Sequence, residues 1–333
     1  GAPVALTYNT TSNKVYCANE SSGTVTVVDG PSNAVIATVP VGARPRDLCH
    51  NTASNKVYCA NQSGTVTVID GASNTVIGTL TVGVMPRALT FNQTDNKVYC
   101  ANSGSGSVTV IDGSSNQVLA TVVAGESACA LCYNPQNNKV YCANLGSDNV
   151  TVIDGATNQV IATVGVGNGP LALFYFAPTN RVLCANSTAG NVTVIDAATN
   201  QVLKTIDMWY DGPFYFCHNT HQNRVYVANG CQSYSYGGIV VLRDSGASAM
   251  EEAPVSLSHR MDVPPTMVRT TLPMPAEQIA NRPAHARLLD IAGRMVLDLR
   301  PGANDVTHLA PGVYFMCRGQ DQARSLRKVI ISR

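Results

Sequence analysis

The sequence predicts an all-β protein made of six repeated units that read as the blades of a propeller, and three observations carry that prediction. The phrase Asn96-Lys97-Val98-Tyr99-Cys100-Ala101-Asn102 has close copies starting at Asn13, Asn55, Asn138, Asn180 and Asn223, a period of about forty residues that suits four short strands. Each copy is followed by an alternating Thr/Val phrase, as in Gly64-Thr65-Val66-Thr67-Val68-Ile69-Asp70-Gly71, the period-two signature of a pleated strand. A third phrase, as in Asn74-Thr75-Val76-Ile77-Gly78-Thr79-Leu80, closes each unit.

Within a unit, the first strand (Arg46 to Asn51 in unit two) leads through a polar turn to a second strand, Lys56 to Ala60. The third strand runs from Thr65 to Ile69, and an Asp-Gly-x-Ser-Asn turn hands on to the fourth, Thr75 to Val82. One four-stranded sheet cannot bury both faces alone, so the units must stack on one another. The sixth unit is irregular: its turn from Gly230 to Gly238 is enlarged, and no clear fourth strand follows Leu242. The blade is expected to be completed by the strand Pro254-Val255-Ser256-Leu257-Ser258, left open, or filled by a neighbouring chain. Residues 244–265, rich in Ser, Ala and Pro, have the composition of a linker.

The phrases N-K-V-Y-C-A-N, S-G-T-V-T-V-I-D-G and V-I-A-T-V-x-V-G-x-x-P closely resemble the YVTN β-propeller repeat over residues 1–243. That resemblance implies a six-bladed propeller of the kind found in surface-layer and secreted proteins, a family defined by its blade and not by a catalytic site. Where the family usually has Val in the second strand, this chain has Cys17, Cys59, Cys100, Cys142 and Cys184. Residues 266–333, through Asp290-Ile291-Ala292-Gly293-Arg294 and Leu309-Ala310-Pro311-Gly312-Val313-Tyr314, resemble the sorting domains of type IX secretion. This second resemblance implies a small immunoglobulin-like β-sandwich, export, and display at the cell surface.

Charged residues make up 13% of the chain and the formal net charge is +1, so there is no strong field to attract nucleic acid or anionic lipid. No run of eighteen apolar residues offers a membrane span. Gly1 reads as a processed or trimmed start.

The candidate chemistry is sparse. Cys129 and Cys132 form a C-x-x-C, but residues three apart on a strand point to opposite faces, which disfavours a shared metal or redox pair. Cys49-His50 and Cys217-His218 fail as nucleophile and base for the same reason. His50 and His218 instead occupy the column of Tyr8, Phe91, Tyr133 and Tyr175, a packed aromatic position. Gly165, Gly167 and Gly169 open a strand and not a helix, so they form no phosphate cradle. The recurring Asp29, Asp70, Asp112, Asp154 and Asp196 suit turn bonding to local amides better than calcium, which needs six or more converging oxygens. Calcium at a contact between subunits is the one ion worth considering, and no cofactor is expected. Arg44, Arg46 and Arg87 should lie on the face of the inter-blade loops as solvated surface.

Eleven cysteines suggest bridges. Centring the first turn on residues 53–55 sets Cys49 opposite Cys59 and, in unit four, Cys132 opposite Cys142, so both pairs are expected to bond. Cys17, Cys100 and Cys184 should then face Thr7, Thr90 and Phe174 as buried thiols. Cys231 in the enlarged loop is expected to bridge to Cys129 or to another chain. The leading expectation for function is a structural or adhesive subunit that is not an enzyme and assembles with itself, the joint lying at residues 254–258 or in the tail. The alternatives are a propeller that binds a sugar, peptide or metal in its central funnel, and a lactonase- or lyase-like enzyme.

Overall fold

The computed structural model describes residues 1–208, 212–230, 238–244 and 250–252, then 266–268, 271–274, 286–289, 295–299, 302–306, 308–310, 312–318 and 325–331. The chain divides into two compact units, Gly1–Glu252 and Ala253–Arg333. The first is a β-propeller-like array of six four-stranded antiparallel sheets, each in simple sequential order. Blade two shows the pattern, with strands Pro45–Asn51, Lys56–Asn61, Thr65–Asp70 and Val76–Thr81. First strands of successive blades pack side by side, from Pro3–Asn9 through to Pro213–Asn219, so they form the inner edge and fourth strands the outer.

Each blade presents two faces. Tyr16, Ala18, Val25, Val27 and Val39 of blade one bury themselves against Leu48, Val57, Cys59 and Ile69 of blade two. We call the first set a trailing face and the second a leading face. In an interior blade both faces are covered, which buries the middle of the third strand: Thr67 is buried beside Val66 and Val68, where alternation had suggested a half-buried strand. Its hydroxyl is satisfied by Asn61 Nδ2 at 3.0 Å, which removes the cost of an unpaired buried polar group.

The first turn is where the sequence-based register fails. Asn51 pairs with Lys56, leaving a four-residue loop centred between Ala53 and Ser54. Asn51 Oδ1 accepts from the amides of Ala53 and Ser54 at 2.9 and 3.2 Å, and Asn55 closes the turn in the left-handed region at φ 49°. Asparagine tolerates that region better than most residues. The even loop shifts every partner by one: Cys59 lies opposite Leu48, and Cys49 opposite Tyr58. Since side chains alternate along a strand, Cys49 and Cys59 project from opposite faces and cannot bond. The same correction applies to Cys132 and Cys142, whose partners are Tyr141 and Leu131. Cys17, Cys100 and Cys184 face Leu6, Leu89 and Leu173, not the residues expected.

Blade six is also corrected. Its fourth strand is Met250–Glu252, which pairs antiparallel with Leu242 to Asp244. The chain itself therefore supplies a short outer strand. The expected closing strand, residues 254–258, lies outside the described residues.

In the second unit, the strands Thr266–Val268, Ala286–Leu289, Met295–Leu299, Gly312–Arg318 and Ser325–Ile331 form one sheet, and Thr271–Met274 pairs with Gly302–Asp305 in another. Leu288, Leu299, Val306 and Tyr314 form its core.

Candidate assembly interface

The recurring polar residues of the repeat are used to join one blade to the next. Lys14 Nζ donates to Gly71 O, Ala72 O and Asn74 Oδ1 of blade two at 2.9, 2.9 and 3.0 Å. Tyr16, two residues on and on the same face, donates its hydroxyl to Asn74 Oδ1 at 2.9 Å. Lys56 and Tyr58 hold Gly113, Ser114 and Asn116 of blade three in the same way. Lys97 and Tyr99 hold Gly155, Ala156 and Asn158. Lys139 and Tyr141 hold Ala197, Ala198 and Asn200. Each acceptor asparagine sits near φ 60°, which turns its carbonyl-rich loop toward the incoming ammonium.

A second belt runs beside this latch. Asn9 Nδ2 donates to Asn55 Oδ1 at 2.8 Å, and the pairs Asn51–Asn96, Asn92–Asn138 and Asn134–Asn180 repeat the bond at 2.8 to 2.9 Å. The N-K-V-Y phrase therefore encodes contact with the following blade as well as a strand. Its regular Lys and Tyr were the signal that single-blade reasoning passed over.

The junction from blade five to blade six is built differently. Phe176 and Leu183 replace the Asn and Tyr of the other blades, and both are fully buried with Val225, Val227, Val240 and Leu242. The Phe176 and His218 rings meet edge to face at 5.1 Å. Aromatic and aliphatic packing thus takes over from the hydrogen-bonded belt.

Among the described residues the two ends of the array are only partly covered: Val241 on the trailing face of blade six is buried, but other apolar positions of both end faces are not. First strands of adjacent blades pack closely, but among the described residues no comparable packing joins Pro213–Asn219 of blade six to Pro3–Asn9 of blade one. Leu6 on the leading face of blade one is 69% exposed, whereas its equivalent Leu48 is 6% exposed. Ile239 on the trailing face of blade six is 50% exposed, whereas Val25, Val66, Val108, Val150 and Val192 in the same column are fully buried. Tyr8 and Tyr215 are exposed beside them.

The remaining candidates are accounted for locally. Cys59, Cys100, Cys142 and Cys184 are buried free thiols, and Cys17 is half-buried. The thiols of Cys59 and Cys100 lie 3.5 and 3.6 Å from Asn61 Oδ1 and Asn102 Oδ1, as weak donors. Burial pushes all four buried thiols well above their ordinary pKa, which leaves them protonated and unreactive. Cys129 is the extra residue of a bulge between Ala128 and Ala130. Its thiol is free and reaches Pro170 O at 3.3 Å, so the expected bridge from Cys129 is absent; Cys231 lies outside the described residues. Burial raises Cys129 to about 11 and Cys132 to about 12.

The turn aspartates bond their own loops. Asp70 accepts from the amides of Ala72 and Ser73 at 3.1 and 2.7 Å, and the Ser73 bonds hold its pKa below the ordinary value. Arg44 and Arg46 pair with Glu20 at 3.2 and 3.0 Å, linking the loop face of blades one and two. Asp47 was not anticipated. Every other blade has Ala or Tyr at this position, yet here a carboxylate accepts from Leu48 N and, across the blade junction, Leu89 N at 2.9 and 2.7 Å. Enclosure of the carboxyl outweighs those bonds and raises its pKa to about 6.

No family model matches the sequence, and no curated protein is similar to it at a significant level. Among solved structures, the chain is similar to hydrazine synthase from Kuenenia stuttgartiensis, with 19% identity and a TM-score of 0.60 over 72% of this chain and 76% of that one. It is also similar to U3-55K, with 10% identity and a TM-score of 0.62 over 77% of this chain and 82% of that one. At such identities the likeness extends to the fold alone, and that fold is a β-propeller-like array of repeated four-stranded sheets.

Proposed function

We propose that this protein is a structural subunit of an extracellular assembly, built from YVTN-type blades, that associates with copies of itself. The observation that carries the reading is the pair of partly uncovered end faces, marked by Leu6 and Tyr8 on blade one and by Tyr215 and Ile239 on blade six. Contiguous apolar exposure of this kind marks an interaction surface. The use of the repeated Lys, Tyr and Asn in holding blade to blade supports a scaffold, because those groups are engaged within the array and not turned toward a ligand. The resemblance of residues 266–333 to immunoglobulin-like sorting domains supports export and attachment at the cell surface or matrix. Negative-stain electron microscopy of the purified full chain tests the reading: filaments or sheets are expected, and isolated particles at every concentration would overturn it.

A further inference from the structure

Building on the proposed self-association, we infer that the joint between copies is a further latched blade junction, the fifth of its kind: the trailing face of blade six in one copy docks on the leading face of blade one in a second copy. Both halves of the latch are present at the two ends. On the trailing face of blade six, Asn219, Arg224 and Tyr226 stand where blades one to four carry the Asn, Lys and Tyr of the belt and latch. Arg224 is exposed, and Asn219 Oδ1 accepts from its own turn at 3.0 and 3.2 Å, as Asn9 does at 3.0 and 2.9 Å. On the leading face of blade one, the turn Gly30-Pro31-Ser32-Asn33 stands where Gly71 to Asn74 receive Lys14, and Asn33 has the matching left-handed φ of 57°. Asn13, at φ 49°, occupies the place of Asn55.

Apolar matching follows the same columns. Ile239 and Ala228 replace the Val25 and Ala18 that cover Leu48 in the first junction, and Leu6, Val15 and Cys17 replace Leu48, Val57 and Cys59. Charge agrees as well, since Arg224 would approach Asp29 as Lys14 approaches Asp70, whose pKa it helps to lower.

The occupant is a second copy because the array does not close on itself. Four junctions share the same donors, acceptors and distances within a few tenths of an ångström, so the turn from one blade to the next is set by the latch. Among the described residues, six such blades leave the first strands of blades one and six without the close packing that joins neighbouring blades. Docking two different faces is a heterologous contact, and it continues into a helix when the rotation does not close.

Sedimentation velocity of the full chain over a concentration series tests the joint, using Leu6→Glu to disable the leading face and Ile239→Glu to disable the trailing face. Both positions are exposed, and circular dichroism verifies that each variant folds; Tyr8→Lys and Tyr215→Lys form a second pair. The wild type is expected to give a ladder of masses, and each variant alone a monomer with association weakened at least a hundredfold. An equimolar mixture of the two variants should recover a dimer that grows no further, because one partner keeps a leading face and the other a trailing face. If single variants form the same ladder as the wild type, self-association stands and this joint is wrong. A wild type that stays monomeric would remove both. An intramolecular disulfide in a monomeric Leu6→Cys, Ile239→Cys double variant would show that the faces meet within one chain, which also overturns the proposal.

Discussion

Blades one to five and blade six solve the same packing problem with different chemistry. Across the first four junctions a buried Tyr hydroxyl and a Lys ammonium bond to a carbonyl-lined turn on the next blade, and an asparagine pair closes the rim. At the fifth junction Phe176 and Leu183 replace the Asn and the Tyr of that set, and pack with His218 through ring and aliphatic contact. Polar latches demand one geometry, because a misplaced buried donor costs the full desolvation penalty, whereas apolar surfaces accept small rotations at little cost. The first four steps are therefore uniform and directional, and the fifth relies more on apolar contact. Blade six ends in a trailing face that returns to the polar pattern, with Asn219, Arg224 and Tyr226 in place but, among the described residues, no following blade to receive them.

The largest expected contrast is in thiol reactivity. Timed alkylation with peptide mass spectrometry should label exposed Cys217 on the order of a thousandfold faster than Cys59, Cys100 or Cys142. Comparable rates would mean that the interior blades open far more readily than their packing implies.

Next comes the contrast between a covered and an uncovered leucine. Leu48→Ala, in the first junction, should destabilise the protein by about 3 kcal/mol, the usual cost of a cavity in a core. Leu6→Ala, in the same column but exposed, should lie within about 0.5 kcal/mol of wild type in the monomer. Thermal melts at low protein concentration separate the two, and equal losses would show that blade one is covered after all.

A smaller effect is expected at the latch. Lys97→Met removes an ammonium that serves three acceptors and should cost about 2 kcal/mol, as for hydrogen bonds to charged groups. Arg224→Met at the open end should cost nothing measurable in the monomer. Urea titration of the two variants decides whether the latch stabilises only where a following blade receives it.

The smallest effect concerns pH. The Asp47 carboxyl has its folded pKa raised to about 6, above its ordinary value of 3.8. The folded state therefore holds this proton more tightly than the unfolded state, and the contribution of Asp47 to stability is lost as pH rises from about 4 through 6. The turn aspartates act in the opposite sense: with pKa values lowered by their Ser and Thr bonds, they stabilise above pH 4 and lose that effect as pH falls. Asp47→Asn should flatten the decline between pH 4 and 6. The side chain keeps some contact with solvent, which holds the change to about 1 kcal/mol. A melting-temperature profile that is unchanged from pH 4 to 7 would show that the carboxyl is solvated.

Much of the array was legible from the chain alone. Period, strand order and turn chemistry were readable because each is a local property: alternation marks a strand, and Asp, Asn and Gly mark the turns between them. The aspartates were rightly assigned to their own turns for the same reason, since the bonds of Asp70 reach only three residues. Register was not legible. Whether the first turn centres on a residue or between two depends on how Asn51 and Asn55 divide the loop, and that difference of one position moves Cys59 away from Cys49 and opposite Leu48. The latch was hidden for a different reason, because Lys14 and its acceptors are nearly sixty residues apart and meet only when blades stack.

By itself, then, the amino-acid order determined that the chain forms repeated four-stranded sheets, with turns stabilised by their own side chains and two faces to bury in each blade. Only the tertiary structure decided which face meets which neighbour, that the cysteine column is a set of free thiols, and that Leu6 and Ile239 of the first and last faces stay exposed. The physical reason is range. Strand and turn formation is decided among neighbours in sequence, whereas coverage depends on the rotation from blade to blade, and a property that accumulates over five junctions cannot be read from any one of them.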